Sequence, residues 1–392
     1  MISFDDAMSL LADNIVPLDA EVVALADAAE RRLAEDVVAR LPSPRKTVSA
    51  MDGYAVRLKT VAAGSTLRIV GESRPGRPHL TSIAKGEAVR IFTGAPIPEN
   101  ADGVIIQEYA ERDGDNVRFA EGFGPSAHVR HRGSDFDKGD VLLSSGTKLD
   151  PGSLVAAAAA DLAEVRVHRR PIVALLATGD ELAAPGFASK DPYAIPDSIT
   201  FALASQIVRE GGTVMARSLA KDDLPGLEKQ AGGLLPTADI VVVTGGASVG
   251  ERDFAKPMFK SHGLELIFDR VAIKPGKPVW LGRAAEKLVL GLPGNPTSAM
   301  VTARLFLRPI LAMMQGGEGS HSWRRMALTG DIPATGERET FARAAWEEDG
   351  LRPLSNQDSG VQGGLARAEW LIRCPPGRNA LSAGSLVPAI QF

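Results

Sequence analysis

Cysteine is almost absent from this sequence: among 392 residues, only Cys374 carries a thiol. A single thiol cannot close an intrachain disulfide and cannot build a cysteine-rich zinc site. The six histidines show no metal-ligand spacing, and Ser198 does not lie in a Gly-x-Ser-x-Gly nucleophile turn. These absences argue against a disulfide scaffold, a zinc enzyme and a serine hydrolase.

The chain also lacks an excess of positive charge and a long apolar run. Its net charge is −4 and its isoelectric point is near 6.0, which argues against a nucleic-acid or anionic-membrane partner. The longest apolar run, residues 154–160, ends at Asp161 and is too short to span a bilayer. Residues 1–14 contain no basic segment of the kind that opens a secretory signal. We therefore expect a cytoplasmic protein with neither a membrane nor a nucleic-acid partner.

Helical patterns are present at the beginning of the chain. Apolar residues recur at helical spacing in the first segment, and good helix formers continue through residues 20–38. A second helical stretch, residues 149–163, starts with Asp150 followed by proline, a combination typical of a helix start. A chain of this length is expected to fold as two to four domains. These segments predict a discontinuous helical or linker domain, residues 1–45 and 139–170.

The rest of the chain favours β structure on either side of an α/β region. Short β-prone runs predict a small β domain over residues 46–138, with a hairpin turn at residues 113–116. Continuous apolar runs that alternate with helical segments predict a parallel-rich α/β domain over residues 171–316. Residues 317–392 predict a C-terminal β-barrel-like domain. The expected fold class is therefore multidomain α/β plus β.

Three loops rich in small and polar residues follow predicted strands of the α/β domain, where open parallel sheets bind their ligands. In the loop from Thr244 to Gly250, several glycines can turn backbone N–H groups toward an anion, and hydroxyls add donors. This loop is neither a Walker A motif nor a Gly-x-Gly-x-x-Gly fingerprint. The loops together predict an oxyanion site that includes Thr178, Gly179, Glu181, Thr244, Gly245, Gly246, Ser248, Gly250, Pro293, Gly294, Asn295, Pro296 and Ser298.

Charged residues supply the electrostatics that such a site needs. Lys274 and Lys277 lie on a loop stiffened by proline and glycine, and Arg270 precedes them, although a lysine pair alone also fits a solvated surface. For Asp222, directly before a predicted helix, helix capping and a functional role are equally good interpretations. Carboxylates gathered around a phosphate usually hold Mg²⁺, and the candidates are Asp52, Asp135, Glu181, Asp222 and Asp253.

Several motifs, in order along nearly the whole chain, resemble those of one family. The motifs are residues 49–56 (SAMDGYAV), 93–98 (TGAPIP), 132–135 (RGSD), 178–182 (TGDEL), 244–253, 272–278 (AIKPGKP) and 291–296 (GLPGNP). The chain is similar to the MoeA family of molybdopterin molybdenumtransferases, to which the C-terminal domain of gephyrin is related.

The resemblance implies a homodimer of four-domain subunits whose third domain is similar to the MogA-type enzymes that adenylylate molybdopterin. It also implies a reaction in which adenylylated molybdopterin and molybdate give molybdenum cofactor and AMP, usually with Mg²⁺. In such dimers the Asp52 region would reach the α/β pocket of the other subunit. Substrate binding would extend from the three loops to Asp197 and Ser198, and the metal would be bound by Glu181, Asp222 and Asp253. The implied catalytic residues are Asp52, Asp135, Glu181, Asp222, Asp253, Arg270, Lys274 and Lys277.

The sequence departs from the family pattern at a few positions. Ile199 stands where an asparagine is common, Arg270 where a lysine is frequent, and residues 356–360 and Glu369 also differ. A guanidinium keeps the charge of an ammonium but not its geometry. Two alternatives stay open: a non-catalytic molybdopterin-binding scaffold and a MogA-like molybdopterin adenylyltransferase. No residue pattern separates molybdate from tungstate, and contacts with other enzymes of the cofactor pathway also stay open.

Overall fold

The first helix is short and is followed by strands. The computed structural model describes residues 1–246 and 253–392. Helix α1 (Phe4–Asn14) begins with a capping box, in which the Asp6 N–H donates to Ser3 Oγ (3.0 Å) and the Ser3 N–H donates to the Asp6 carboxylate (3.2 Å). Strands β1 (Ala20–Ala24) and β2 (Val37–Val38) follow.

The predicted helix over residues 20–38 is therefore wrong. Residues 20–24 pair in antiparallel register with residues 164–168, so that Ala20 faces His168 and Ala24 faces Glu164. Helix propensity is a weak local preference, and a strand partner far along the chain overrides it.

A small β region follows, as the sequence predicts. Six of its strands form one mixed sheet, in the order β7-β4-β6-β5-β9-β8. The predicted hairpin is confirmed, because Asp113 pairs with Asn116 and Gly114 takes the positive φ (58°) that the turn requires. The strands are β3 (Val48–Ser49), β4 (Gly53–Val56), β5 (Thr66–Ser73), β6 (Glu87–Ile91), β7 (Gly103–Ile106), β8 (Ala110–Asp113), β9 (Asn116–Phe119) and β10 (Val129–Arg130).

The chain then returns to the first segment. Strand β11 (Val141–Leu143) pairs with β2, and β12 (Glu164–His168) pairs with β1. Between them lies α2 (Pro151–Ala159), where the Asp150 carboxylate accepts the Ser153 N–H (2.7 Å) and proline occupies the first turn. Buried residues of both segments share one core, so this unit is joined across the β region and is mostly strands rather than helices.

The α/β region is built around a six-stranded sheet in the order β16-β13-β17-β21-β20-β18. The first four strands are parallel, whereas β20 pairs with β21 and β18 pairs with β20 in antiparallel register. Helices cover it on both faces, which explains why its central strands are apolar throughout. Its elements are β13 (Ile172–Thr178), β14 (Leu182–Ala183), β15 (Ile195–Pro196), α3 (Ile199–Arg209), β16 (Thr213–Ala220), α4 (Leu224–Leu234), β17 (Ile240–Thr244), β18 (Glu265–Phe268), β19 (Ile273–Lys274), β20 (Trp280–Ala284), β21 (Lys287–Leu292), α5 (Pro296–Thr302) and α6 (Arg308–Met314).

The predicted final helix over residues 296–314 is present, with one irregularity. Residues 303–307, between α5 and α6, form a π-helical segment. Segments of this kind widen one turn of a helix and are frequent at functional sites.

The C-terminal region is a second β unit that is joined to the α/β region. Strand β19 lies parallel to β23, with Ile273 facing Glu339, and so extends the C-terminal sheet β19-β23-β25-β26-β22. The multidomain α/β plus β class is confirmed. Within the described residues, no helix combines the length and apolar character needed to cross a membrane. The C-terminal strands are β22 (Arg324–Ala327), β23 (Glu339–Glu347), β24 (Gly350–Pro353), β25 (Trp370–Cys374) and β26 (Leu386–Gln391).

Candidate functional site

A cavity of about 860 Å³ opens at the carboxyl ends of three neighbouring parallel strands. Thr178 ends β13, Thr244 ends β17 and Leu292 ends β21, so the loops that leave these strands lie side by side. The predicted residues that line this cavity are Thr178, Gly179, Glu181, Asp197, Ser198, Asp222, Thr244, Gly245, Gly246, Asp253, Arg270, Lys277, Pro293, Gly294, Asn295 and Pro296.

Other predicted residues lie elsewhere or outside the described residues. Ser298 is buried in α5, and Lys274 is exposed in β19; neither lines the cavity. Asp135 is exposed in the turn that follows the small β region. The predicted Ser248 and Gly250 fall within residues 247–252, which are outside the described part of the chain.

Asp52 also lies away from the cavity of its own chain, in the small β region. Its carboxylate accepts hydrogen bonds from the N–H and the hydroxyl of Thr93, both at 2.7 Å. These bonds lower the pKa of Asp52, with the Thr93 backbone donor as the largest cause. Asp52 is therefore an ionised carboxylate held in a fixed position at neutral pH.

Glycine allows the three loops to approach one another closely. A Cβ on Gly245 would lie 2.3 Å from the carbonyl oxygen of Thr178, and the Gly245 φ of +91° disfavours any side chain. A Cβ on Gly294 would lie 3.3 Å from the Cα of Gly245. The floor of the cavity is thus backbone packed against backbone.

Replacing Gly245 by alanine should destabilise the protein by about 1–3 kcal/mol and weaken substrate binding, because the new methyl group must push β13 and β17 apart. Urea unfolding and substrate affinity measure the two effects. Gly186→Ala is the matched control, since Gly186 also has a positive φ (+87°) but a Cβ there meets nothing within 4 Å. Equal destabilisation by both variants would contradict the close-approach explanation.

Two oxygen atoms in the cavity lining are buried and lack a hydrogen-bond partner among the described residues. Thr178 Oγ1 and Asp253 Oδ1 have no hydrogen bond to any of the described residues. Burial raises the pKa of Asp253, against the opposing effects of Lys256 and Arg270. Because buried polar groups are nearly always satisfied in proteins, these two atoms indicate a polar ligand or cation in the cavity.

Three cations line the cavity beside the glycine-rich loops. Arg270 and Lys277 lie there as predicted, and Lys256 joins them. Lys256 pairs with Asp269, whose carboxylate also lies 3.5 Å from Arg270 Nε. The sequence analysis did not predict Lys256 as a site residue. The sequence feature that could have indicated it is its position three residues after the candidate Asp253.

Three aspartates lie just before helices at the cavity: Asp222 and Asp223 precede α4, and Asp197 precedes α3. They differ in whether they stabilise the start of the helix or line the cavity. The Asp223 carboxylate accepts the Gly226 N–H (3.0 Å) and caps α4, so the capping interpretation belongs to Asp223 and leaves Asp222 in the lining. The Asp222 N–H donates to the Asp180 carboxylate at 3.2 Å. Asp197 accepts the Thr200 N–H (3.1 Å) and hydroxyl, which fixes the start of α3.

A loop of the C-terminal unit completes the cavity, and the sequence prediction missed it. Gly360 and Gln362 line the cavity. Ser198 Oγ donates to Gln362 Oε1 (2.9 Å), and Asn295 Nδ2 donates to Ser359 Oγ (3.1 Å). A signal for this loop was present in the sequence, because residues 356–360, which depart from the family pattern, include Gly360 and end two positions before Gln362.

Arg343 holds this loop in place. Its side chain is fully buried in β23, and its Nη2 donates to the carbonyl oxygens of Asn356 (3.1 Å) and Asp358 (3.2 Å). Its Nη1 reaches Thr297 Oγ1 in α5 at 3.4 Å, and that hydroxyl donates to the Val361 carbonyl (2.6 Å). One arginine therefore joins the C-terminal loop to the helix that follows the third cavity loop.

The carboxylates of the large cavity are of the type that binds a divalent cation. Glu181, Asp222 and Asp253 line the same cavity and offer the hard oxygen ligands that Mg²⁺ prefers. The described residues contain no group of three or more His, Cys, Asp or Glu side chains close enough to hold a metal ion by themselves. Mg²⁺ is usually bound by one or two carboxylates together with substrate phosphates and waters, and the residues fit that mode.

Family models match nearly the whole chain in three consecutive parts. Residues 2–160 match the MoeA N-terminal region (domains I and II), residues 174–313 match a probable molybdopterin binding domain, and residues 325–392 match the MoeA C-terminal region (domain IV).

Relatives and solved structures agree with these models. The chain is 37% identical over 404 residues to the molybdopterin molybdenumtransferase of Haemophilus influenzae, covering 100% of this chain and 99% of the relative. It is 30% identical to the Bacillus subtilis protein of the same name, with coverage of 95% and 90%. The crystal structure of the molybdopterin biosynthesis MoeA protein from Pyrococcus horikoshii OT3 matches with a TM-score of 0.86, 26% identity and 100% coverage of both chains. This chain therefore belongs to the MoeA family.

Proposed function

We propose that this protein is a molybdopterin molybdenumtransferase, which inserts molybdenum from molybdate into adenylylated molybdopterin and releases AMP. The observation that carries the proposal is the composition of the large cavity. It combines backbone loops suited to a phosphate, three cations, four carboxylates and two buried oxygens that have no hydrogen bond to any described residue, all at the carboxyl end of a parallel sheet. The names of the full-length relatives support the same reaction.

In this proposal the glycine loops bind the diphosphate bridge and the pterin. The N–H groups of residues 245–246 and the loop at residues 293–296 would face the phosphate oxygens, and Thr178 Oγ1 would donate to one of them. Arg270, Lys277 and Lys256 would neutralise phosphate and molybdate oxygens. Their effect is largest where substrate excludes water, because charge interactions are stronger at low dielectric.

Glu181, Asp222 and Asp253 would hold Mg²⁺ together with the phosphate oxygens of the substrate. The bound cation would offset negative charge that develops on the bridge as the phosphoanhydride bond breaks and AMP leaves. Asp253 has a specific part in this proposal. Its Oδ1, which has no hydrogen bond to any described residue, would gain a ligand, and the free-energy cost of burying the Asp253 charge would fall.

The proposal includes a homodimer. Asp52 and Asp135 lie outside the cavity of their own chain, so a catalytic role requires that the partner subunit bring them to it. The enzyme would act in the cytoplasm without a nucleic-acid or membrane partner.

The test is AMP release from purified protein supplied with adenylylated molybdopterin and Mg²⁺, with and without molybdate. We expect molybdate-dependent AMP release with formation of active cofactor. Tight binding of the adenylylated pterin without AMP release would favour a scaffold, and consumption of ATP in the presence of molybdopterin would favour an adenylyltransferase. Either result would overturn the proposal.

A further inference from the structure

A second cavity, of about 620 Å³, lies where three units of the chain meet. Residues 145–148 contribute from the N-terminal unit, α6 and the π-helical segment from the α/β region, and residues 318–324 from the C-terminal unit. It shares no lining residue with the large cavity. Nothing in the proposed reaction uses it.

The lining of this cavity carries an excess of positive charge. Its cations are Arg32, Lys148, Arg304, Arg308 and Arg324, whereas its carboxylates are Glu210 and Glu318. Arg308 pairs with Glu210 (2.9 Å), and Lys148 pairs with Glu30 (2.5 Å), which lies outside the lining. Within the described ranges, neither Arg32 nor Arg304 has a carboxylate within ion-pair distance. Both feel the charge of the same Glu210 that pairs with Arg308, so three arginines share one carboxylate.

Hydrogen bonds fix the Arg304 side chain through two of its three guanidinium nitrogens. It lies in the π-helical segment with only 7% of its surface exposed. Its Nε donates to the Gln391 carbonyl (2.6 Å), and its Nη1 donates to His321 Nδ1 (3.4 Å), while His321 Nε2 donates to the Leu305 carbonyl (3.0 Å). Its Nη2 has no hydrogen bond to any described residue. A buried guanidinium without a counterion is costly, so this geometry is one that an anion would stabilise.

The titration of the neighbouring groups agrees with a positive local potential. Burial, and next the charge of Arg304, lower the pKa of His321 to about 4, so the imidazole is neutral at pH 7 and adds no charge. Burial, and next the charge of Arg308, lower the pKa of Arg304 to about 10. Arg304 nevertheless stays protonated at neutral pH.

We propose that this second cavity binds a multiply charged oxyanion group, such as inorganic phosphate, molybdate or the phosphate of a nucleotide. Arginine presents forked N–H donors that match tetrahedral oxyanions better than they match a single carboxylate oxygen. Hydroxyls of Thr147 and Ser322 in the lining add neutral donors, whereas the Ser320 hydroxyl donates to the Glu318 carboxylate (3.3 Å). The inference is independent of the proposed reaction, since the two cavities have no residue in common.

Calorimetric titration of the full chain in a chloride buffer tests the site, with phosphate, molybdate and AMP as separate probes. We expect saturable binding of at least one anion, weakened at least about tenfold by Arg304→Gln and by Arg32→Gln, and partly restored by Arg304→Lys. The probe that binds most tightly identifies the source of the oxyanion. Because Arg32 is only partly buried, Arg32→Gln gives a result even where Arg304→Gln fails to fold.

Two controls separate this site from general charge and from the large cavity. Arg325→Gln removes an equal charge from an exposed position next to Arg324 and should leave binding unchanged. Lys277→Gln alters the large cavity, to which molybdate and AMP are also proposed to bind, and should leave unchanged the binding that Arg304→Gln and Arg32→Gln weaken. Absence of saturable binding for all three anions would overturn the proposal. So would binding that resists both arginine variants, or that Arg325→Gln or Lys277→Gln weakens as much as they do.

Discussion

Replacing Glu181 by alanine is expected to lower molybdate-dependent AMP release about 100-fold or more while the fold stays intact. Glu181 is exposed at the mouth of the large cavity, so its removal should change the free energy of unfolding by no more than about 0.5 kcal/mol. Activity and stability should therefore separate in this variant. Steady-state AMP release and urea unfolding measure the two quantities.

The dependence of the remaining activity on Mg²⁺ concentration tests the proposed role of Glu181. If Glu181 helps to hold Mg²⁺, Glu181→Gln keeps the size of the side chain but loses its charge, and activity should recover in part at high Mg²⁺ concentration. Glu265→Ala is the matched control, because Glu265 is an exposed glutamate of the same region on β18 and does not line the cavity. Turnover of Glu181→Ala at the wild-type rate would remove this residue from the proposed mechanism.

The second large effect is expected from mixing subunits. Homodimers of Asp52→Asn and of Glu181→Gln should each be nearly inactive. A heterodimer with one variant of each kind should recover about half of the wild-type activity, because one of its two sites would combine an intact Glu181 with Asp52 of the partner subunit. Asparagine is chosen at position 52 because its side-chain oxygen can still accept the two Thr93 hydrogen bonds.

Co-expression with two different tags and tandem purification would supply the heterodimer. Sedimentation velocity of the wild-type chain first establishes whether a dimer forms. A heterodimer as inactive as both parents would contradict a site shared between subunits. Full activity of the Asp52→Asn homodimer would instead remove Asp52 from the reaction.

Local patterns predicted the central fold correctly for a physical reason. Strands covered on both faces must be apolar throughout, and β13 and β17 display that pattern in the sequence. Ligand loops follow such strands, so local patterns alone were enough to assign the glycine and threonine residues after them to one cavity. The DGDN hairpin was equally predictable, because few residues accept its turn conformation.

Residues 20–38 show where local patterns fail. Their composition suits a helix, but the strand that forms depends on residues 164–168, more than a hundred positions away. The free energy of such pairing comes from a partner that local periodicity does not reveal. The domain boundaries, which also depend on such pairings, stay predictions.

The sequence by itself determined the family pattern, the parallel sheet and the loops that end its strands, because these depend on local composition and spacing. Only the tertiary structure decided which charges meet. It brought Lys256 and the loop around Gln362 to the large cavity, kept Asp52 away from it and gathered Arg32 with Arg304 in a second cavity. The physical reason is that charge and hydrogen bonding act over distances in space, and residues far apart in the chain become neighbours only when the units pack together.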